Sequence, residues 1–150
     1  MKILGLDYGH KRIGLAFADE LGVAFPIPAA VEPTFEARLA KIALEIERRK
    51  PDMLLLGYPY NMDGTPSQKM KEVDEFIAVL KEKFGLPVDT SDERLSSFQA
   101  EADMAAFAPK KSRKKSIQAR QKYRRSGDID SRAIAIVLQD YIDNRNLNDA

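Results

Sequence analysis

Apolar residues run almost unbroken through 2–6 (KILGL) and again through 12–18 (RIGLAFA), with the polar turn DYGHK between them. Short apolar runs bounded by glycine and polar turn residues read as strands. DELG at 19–22 is a hairpin turn signal, and VAFPI at 23–27 reads as a short third strand. After Pro33 and Thr34 the period changes to that of a helix. Phe35, Leu39, Ile42, Ala43 and Ile46 fall on one face, predicting a helix to about Lys50 that Pro51 ends. MLLLGYP at 53–59 is uninterrupted, as an interior parallel strand is. Val73, Phe76, Ile77, Leu80 and Phe84 form the stripe of a second helix, with Gly85 as its cap. LPVDTSDE is a further strand ending on Asp92 and Glu93. Ser96 and Gln99 stand at capping-box spacing, so a helix is expected from there to about Phe107, with Pro109 breaking it. A last helix is expected from near Asp128 to about Asp143.

The predicted order is three strands, helix, strand, helix, strand, helix, basic loop, helix. An antiparallel meander continued by parallel strands through right-handed helical crossovers makes an α/β fold: a mixed five-stranded sheet with helices on both faces. There is no internal repeat and no linker, so residues 1–150 are expected to form one domain.

Composition narrows the chemistry. At 44% hydrophobic the chain can bury a core, and no run approaches the eighteen or so apolar residues of a membrane helix. MKILGLD lacks the plan of a signal peptide, so a cytoplasmic protein is expected. With no cysteine and one histidine, His10, any metal must be held mainly by carboxylates. That favours a hard cation, Mg²⁺ or Mn²⁺. The net charge of +1 conceals an asymmetry. Lys110 to Arg125 holds nine Lys or Arg in sixteen residues and no acid, which leaves fifteen bases against twenty-three acids elsewhere, a net of −8. An acidic body with one concentrated basic segment is the footprint of a protein that grips phosphate backbone; a solvated tail is the alternative, but this run is internal.

Three acids stand at telling places. Asp7 ends the first strand and Glu93 the last, and sites in parallel crossover sheets form beyond the carboxyl ends of the strands. For both carboxylates to converge, those two strands would need to be neighbours. Asp130, in the first turn of the last helix, shares a face with Ala133, Ile134, Val137 and Tyr141 and so points toward the sheet. A carboxylate there needs a partner, and a shared cation would supply one. Alone, each acid has a plainer reading: a turn residue for Asp7, an ion pair with Arg94 or Lys2 for Glu93, a first-turn acid for Asp130.

These stretches resemble a known family. GLDYGHKRIGLAFAD is similar to the Asp-x-Gly-x-x-Arg-Ile-Gly opening of the YqgF/RuvX-like proteins, and LLLGYPYNMDGTPS to their Gly-x-Pro-x-Asn-x-x-Gly motif. DERLSS resembles their acidic motif and IDSRAIAIVLQDYI their C-terminal Asp helix. The family is described as pre-16S ribosomal RNA nucleases and Holliday junction resolvases, within the ribonuclease H-like superfamily. The resemblance covers essentially the whole chain. It implies a ribonuclease H-like fold and places the catalytic, metal-holding acids on Asp7, Glu93 and Asp130. Superfamily relatives often use a fourth carboxylate, for which Asp92 and Asp128 are the candidates here. It also implies metal-assisted hydrolysis of phosphodiester bonds, leaving a 5′-phosphate and a 3′-hydroxyl, with two ions about 4 Å apart.

Other residues have lesser roles in this reading. Gly9 is expected to let the turn after Asp7 take an unusual backbone. Arg12 is a candidate phosphate clamp, with a surface ion pair as the even alternative. Asn61 is a candidate substrate contact or a turn-former. Lys110, Lys111, Arg113, Lys114 and Lys115 are expected to hold backbone phosphate, and Tyr123 to stack on a base. His10 is read as an exposed turn residue. The expected partner is nucleic acid, a pre-rRNA leader or branched DNA, met by a monomer or weak homodimer. Two other classes compete. One is a non-catalytic nucleic-acid-binding module. The other is a phosphotransferase with a similar Asp-x-Gly hairpin, against which a chain long enough for only one lobe argues.

Overall fold

The computed structural model describes residues 1–60, 63–92 and 128–149, with side chains to residue 145. Its elements are β1 (Ile3–Asp7), β2 (Ile13–Ala18), β3 (Ala24–Ala30), α1 (Phe35–Arg49), β4 (Met53–Tyr58), α2 (Gln68–Phe84), β5 (Val88–Asp92) and α3 (Asp128–Asp149). The strands form one mixed sheet in the order β3-β2-β1-β4-β5. β1 pairs antiparallel with β2 and parallel with β4, and β5 extends the sheet parallel to β4.

Local chemistry explains the boundaries. Thr34 caps α1 by accepting the Ala37 N–H, and Ser67 caps α2 by accepting that of Met70. Both helices close on a left-handed residue, Lys50 and Gly85. The Asp19–Gly22 turn joins β2 to β3, with Gly22 at φ 79°. β3 is longer than VAFPI alone predicts. It is an edge strand, where Pro26 and Pro28 leave no N–H to recruit another chain. α3 runs to Asp149, six residues past its expected end, because NRNLND contains no glycine or proline to stop it. The helix expected from Ser96 to Phe107 lies outside the described residues.

Strand alternation splits the core in two. Leu4, Leu6, Ile13, Leu15, Leu54 and Leu56 pack with Leu39 and Ile42 of α1 and with Val73, Phe76 and Leu80 of α2. Ile3, Ala16, Ala18, Met53 and Leu55 face the other way, against Ile134, Val137 and Leu138 of α3. Helices therefore cover both faces, as the pattern predicts.

Candidate functional site

Because side chains alternate along β1, Asp7 falls on the same face as Ile3, the face α3 covers. Its pairing partner on β2 is Gly14. A Cβ at Gly14 would stand 2.5 Å from the carbonyl carbon of Asp130 and 2.7 Å from its Cβ. Only glycine admits the first turn of α3 this close to the sheet. Ser131, 2% exposed, fastens that turn: its Oγ accepts the Leu15 N–H at 3.1 Å, where the pairing of β2 with β3 shifts register. One glycine and one serine thus set Asp130 beside the end of β1.

Asp7 and Asp130 line one open cleft of about 300 Å³ with Tyr8, Gly9, His10, Lys11, Arg12 and Lys69. The Arg12 Nε donates to Asp130 Oδ2 at 2.8 Å, both side chains being about a quarter to a third exposed. Arg12 is thus ion-paired, but within the cleft and to a candidate catalytic acid. Gly9 is explained differently from the expectation. It has no positive φ; a Cβ there would meet the Arg12 carbonyl oxygen at 2.7 Å, so the turn closes too tightly for a side chain.

Sequence reasoning missed Arg38. This α1 residue is 7% exposed, and its guanidinium donates to the carbonyls of Glu32 at 2.8 Å, His10 at 3.0 Å and Lys11 at 3.4 Å. It ties the turn after Asp7 to α1. The signal was available: Arg38 precedes Leu39 and stands four residues before Ile42, on the buried stripe, where a charge requires acceptors. His10 is exposed as expected, yet its Nε2 lies 2.8 Å from Glu72 Oε2.

The expectation that the first and last strands must be neighbours needs correcting. β4 lies between β1 and β5. Both are parallel to β4, so their carboxyl ends share one edge of the sheet, roughly 10 Å apart. β5 ends at Asp92, on that edge. Glu93, Asn61, Lys110, Lys111, Arg113, Lys114, Lys115 and Tyr123 lie outside the described residues. Among the described residues no three acids or histidines form a metal-sized cluster. The two acids that do share the cleft suit a hard divalent cation. They offer carboxylate oxygens from a rigid strand and a helix, and one of them already draws a positive group, Arg12.

Comparison with known proteins follows the same lines. A family model described as "RuvX: Holliday junction resolvase" matches residues 1–144. A protein of Opitutus terrae named "Putative pre-16S rRNA nuclease" is 42% identical over 146 residues, covering 97% of this chain and 93% of that one. One of the same name from Picosynechococcus is 41% identical, covering 95% and 92%. Among solved structures, Thermus thermophilus RuvC bound to a Holliday junction substrate superposes with a TM-score of 0.51 at 17% identity, over 97% of this chain and 95% of that one. Fowlpox virus resolvase with Holliday junction DNA gives 0.53 at 15% identity, over 96% and 98%. At such identities these two establish the fold alone.

Proposed function

We propose a reaction for this molecule from one premise: the chain belongs to the RuvX family. It is a nuclease that hydrolyses phosphodiester bonds, and residues 1–150 act as one catalytic domain. Its substrate is pre-16S ribosomal RNA, as the names of its relatives support, and we place the cut in the 5′ leader. No helix among the described residues is long and apolar enough to cross a membrane. A ribosomal precursor as substrate would place the protein in the cytoplasm.

One observation carries the reading: Asp7 and Asp130, far apart in sequence, line the same cleft at the carboxyl edge of the sheet. Glu93, one residue past β5, is the third acid. These carboxylates would hold Mg²⁺ or Mn²⁺, as one or two ions, which would activate water and stabilise the leaving oxygen. Asp7, on the strand nearest the centre of the edge, would be the most rigid of these ligands. Arg12 neutralises Asp130 in the free protein, and its guanidinium is placed to turn to a substrate phosphate, where two N–H groups bind better than one. Arg38 holds the turn that carries Arg12. Asn61 and the basic run of Lys110, Lys111, Arg113, Lys114 and Lys115 bind substrate backbone, which gives affinity without sequence choice.

The test pairs the wild type with Asp7→Asn, each given Mg²⁺ or Mn²⁺ and either a labelled pre-16S leader RNA or a synthetic four-way junction. The leader is cut by the wild type and left intact by the variant. Cleavage of the junction alone would move the substrate to branched DNA. If the wild type cuts neither while both proteins bind RNA equally, the chain is a binding module instead.

A further inference from the structure

Beyond the acids, the carboxyl edge of the sheet carries an aromatic ridge. β4 runs beside β1 with Leu6 opposite Leu56, and two residues on, Tyr8 just past β1 and Tyr58 at the end of β4 continue that register. Both pack against the core under α2, and the Tyr8 ring lies 4.8 Å from that of Phe76. The Tyr58 hydroxyl donates to Asp74 Oδ1 of α2 at 2.9 Å, which fixes the ring. Tyr60 follows in a tight turn, its N–H bonded to the Tyr58 carbonyl at 3.0 Å. The two rings sit 4.8 Å apart, tilted by 52°, and Tyr60 is 45% exposed. Tyr60 thus follows directly on β4, the strand paired with β1, whose carboxyl end carries Asp7, and its ring remains partly exposed.

We propose that Tyr60, braced on Tyr58, is a stacking platform for an unpaired nucleobase next to the scissile phosphate. Inside a duplex both faces of a base are already stacked, so the platform selects single-stranded or frayed nucleic acid over paired substrate. Stacking is indifferent to base identity, because every base presents a π face. A tyrosine platform also costs little conformational entropy, since its ring turns on only two side-chain torsions. The inference rests on the nuclease reading for the place of the scissile bond, but not for the stacking itself.

The experiment measures binding to fluorescent oligonucleotides without turnover, in EDTA. The probes are a twelve-nucleotide RNA, the same RNA as a duplex, and a single-stranded version containing 2-aminopurine. Tyr60→Ala should weaken single-strand binding about ten-fold, within the range of one stacked base, and leave duplex binding within two-fold. Wild type should quench 2-aminopurine on binding. Tyr60→Phe should keep both the affinity and the quenching. Equal losses on single strand and duplex, or quenching undiminished in Tyr60→Ala, would overturn the proposal. Should Tyr60→Ala fold poorly, the wild type against an abasic oligonucleotide and Tyr60→Phe decide the matter alone. Asp7→Asn separates the two readings. If it still cleaves, the catalytic assignment is wrong while stacking stands; if it is inactive and Tyr60→Ala binds normally, the reverse holds.

Discussion

On one face of the sheet Leu4, Leu6, Leu54 and Leu56 meet two helices; on the other, among the described residues, Gly5, Gly14, Ala16 and Ala18 meet one, α3. The thick face separates backbone from backbone by full side chains and excludes water over the broadest part of the core. The thin face removes side chains so that one helix backbone can approach the strands. That approach is closest at Gly14, where α3 delivers Asp130 to the end of β1. Bulky packing supplies stability, and small residues supply position. Because the acids belong to the thin face, activity and stability should respond to different substitutions.

The sharpest way to break that division is Asp130→Asn. Cleavage should fall about 10³-fold, as when a charge-stabilising group is lost from an active site, while the thermal midpoint holds. A large drop in midpoint would mean the Arg12–Asp130 pair is structural. Leu56→Ala tests the thick face. Leu56 is fully buried, so the change should cost about 2–5 kcal/mol in denaturant unfolding and leave kcat per folded molecule unchanged. If kcat falls in step with stability, the faces are not independent.

Within the thin face, Gly14→Ala and Gly5→Ala should diverge. At Gly14 a Cβ meets helix backbone, which must move; at Gly5 it meets the Ile134 side chain at 3.1 Å, which can shift. Gly14→Ala should cost about 1–3 kcal/mol by overpacking and about 10²-fold in cleavage through displacement of Asp130. Gly5→Ala should keep most of its activity. Equal effects would show that α3 does not rest on Gly14.

The smallest effect concerns Glu45, buried on α1. Burial pushes its carboxyl up, but hydrogen bonds from Arg49 at 2.7 Å and the nearby Lys41 at 3.3 Å outweigh this and hold it below its ordinary value of 4.5. A depressed carboxyl contributes stability that is present above that value and lost as pH falls through the folded one. Unfolding measured at pH 7 and in steps below 4.5 should therefore show a shallower acid loss for Glu45→Gln, with cleavage at neutral pH unaltered. An unchanged acid slope would exclude Glu45 as a contributor.

The elements were largely legible in the sequence. Short unbroken apolar runs marked the strands, period-3.6 stripes the helices, and Thr34 and Gly85 the boundaries, because each depends on residues a few positions apart. Asp7 stood out as an acid closing an apolar strand, and Asp130 as an acid on an apolar helical face. Glycine at position 9 was noticed for the wrong reason, since a close approach of backbone cannot be told from an unusual torsion in the letters alone.

By itself, then, the sequence determined the order of the described strands and helices, the two-faced core and the family, all of which follow from local periodicity and from motifs read in line. Tertiary structure alone decided that β4 separates β1 from β5, that Arg12 spends its charge on Asp130, that Arg38 holds the turn and that Ser131 pins α3. Those contacts join residues up to 118 positions apart, and no local pattern encodes which partner a buried donor or charge finds once the chain has closed.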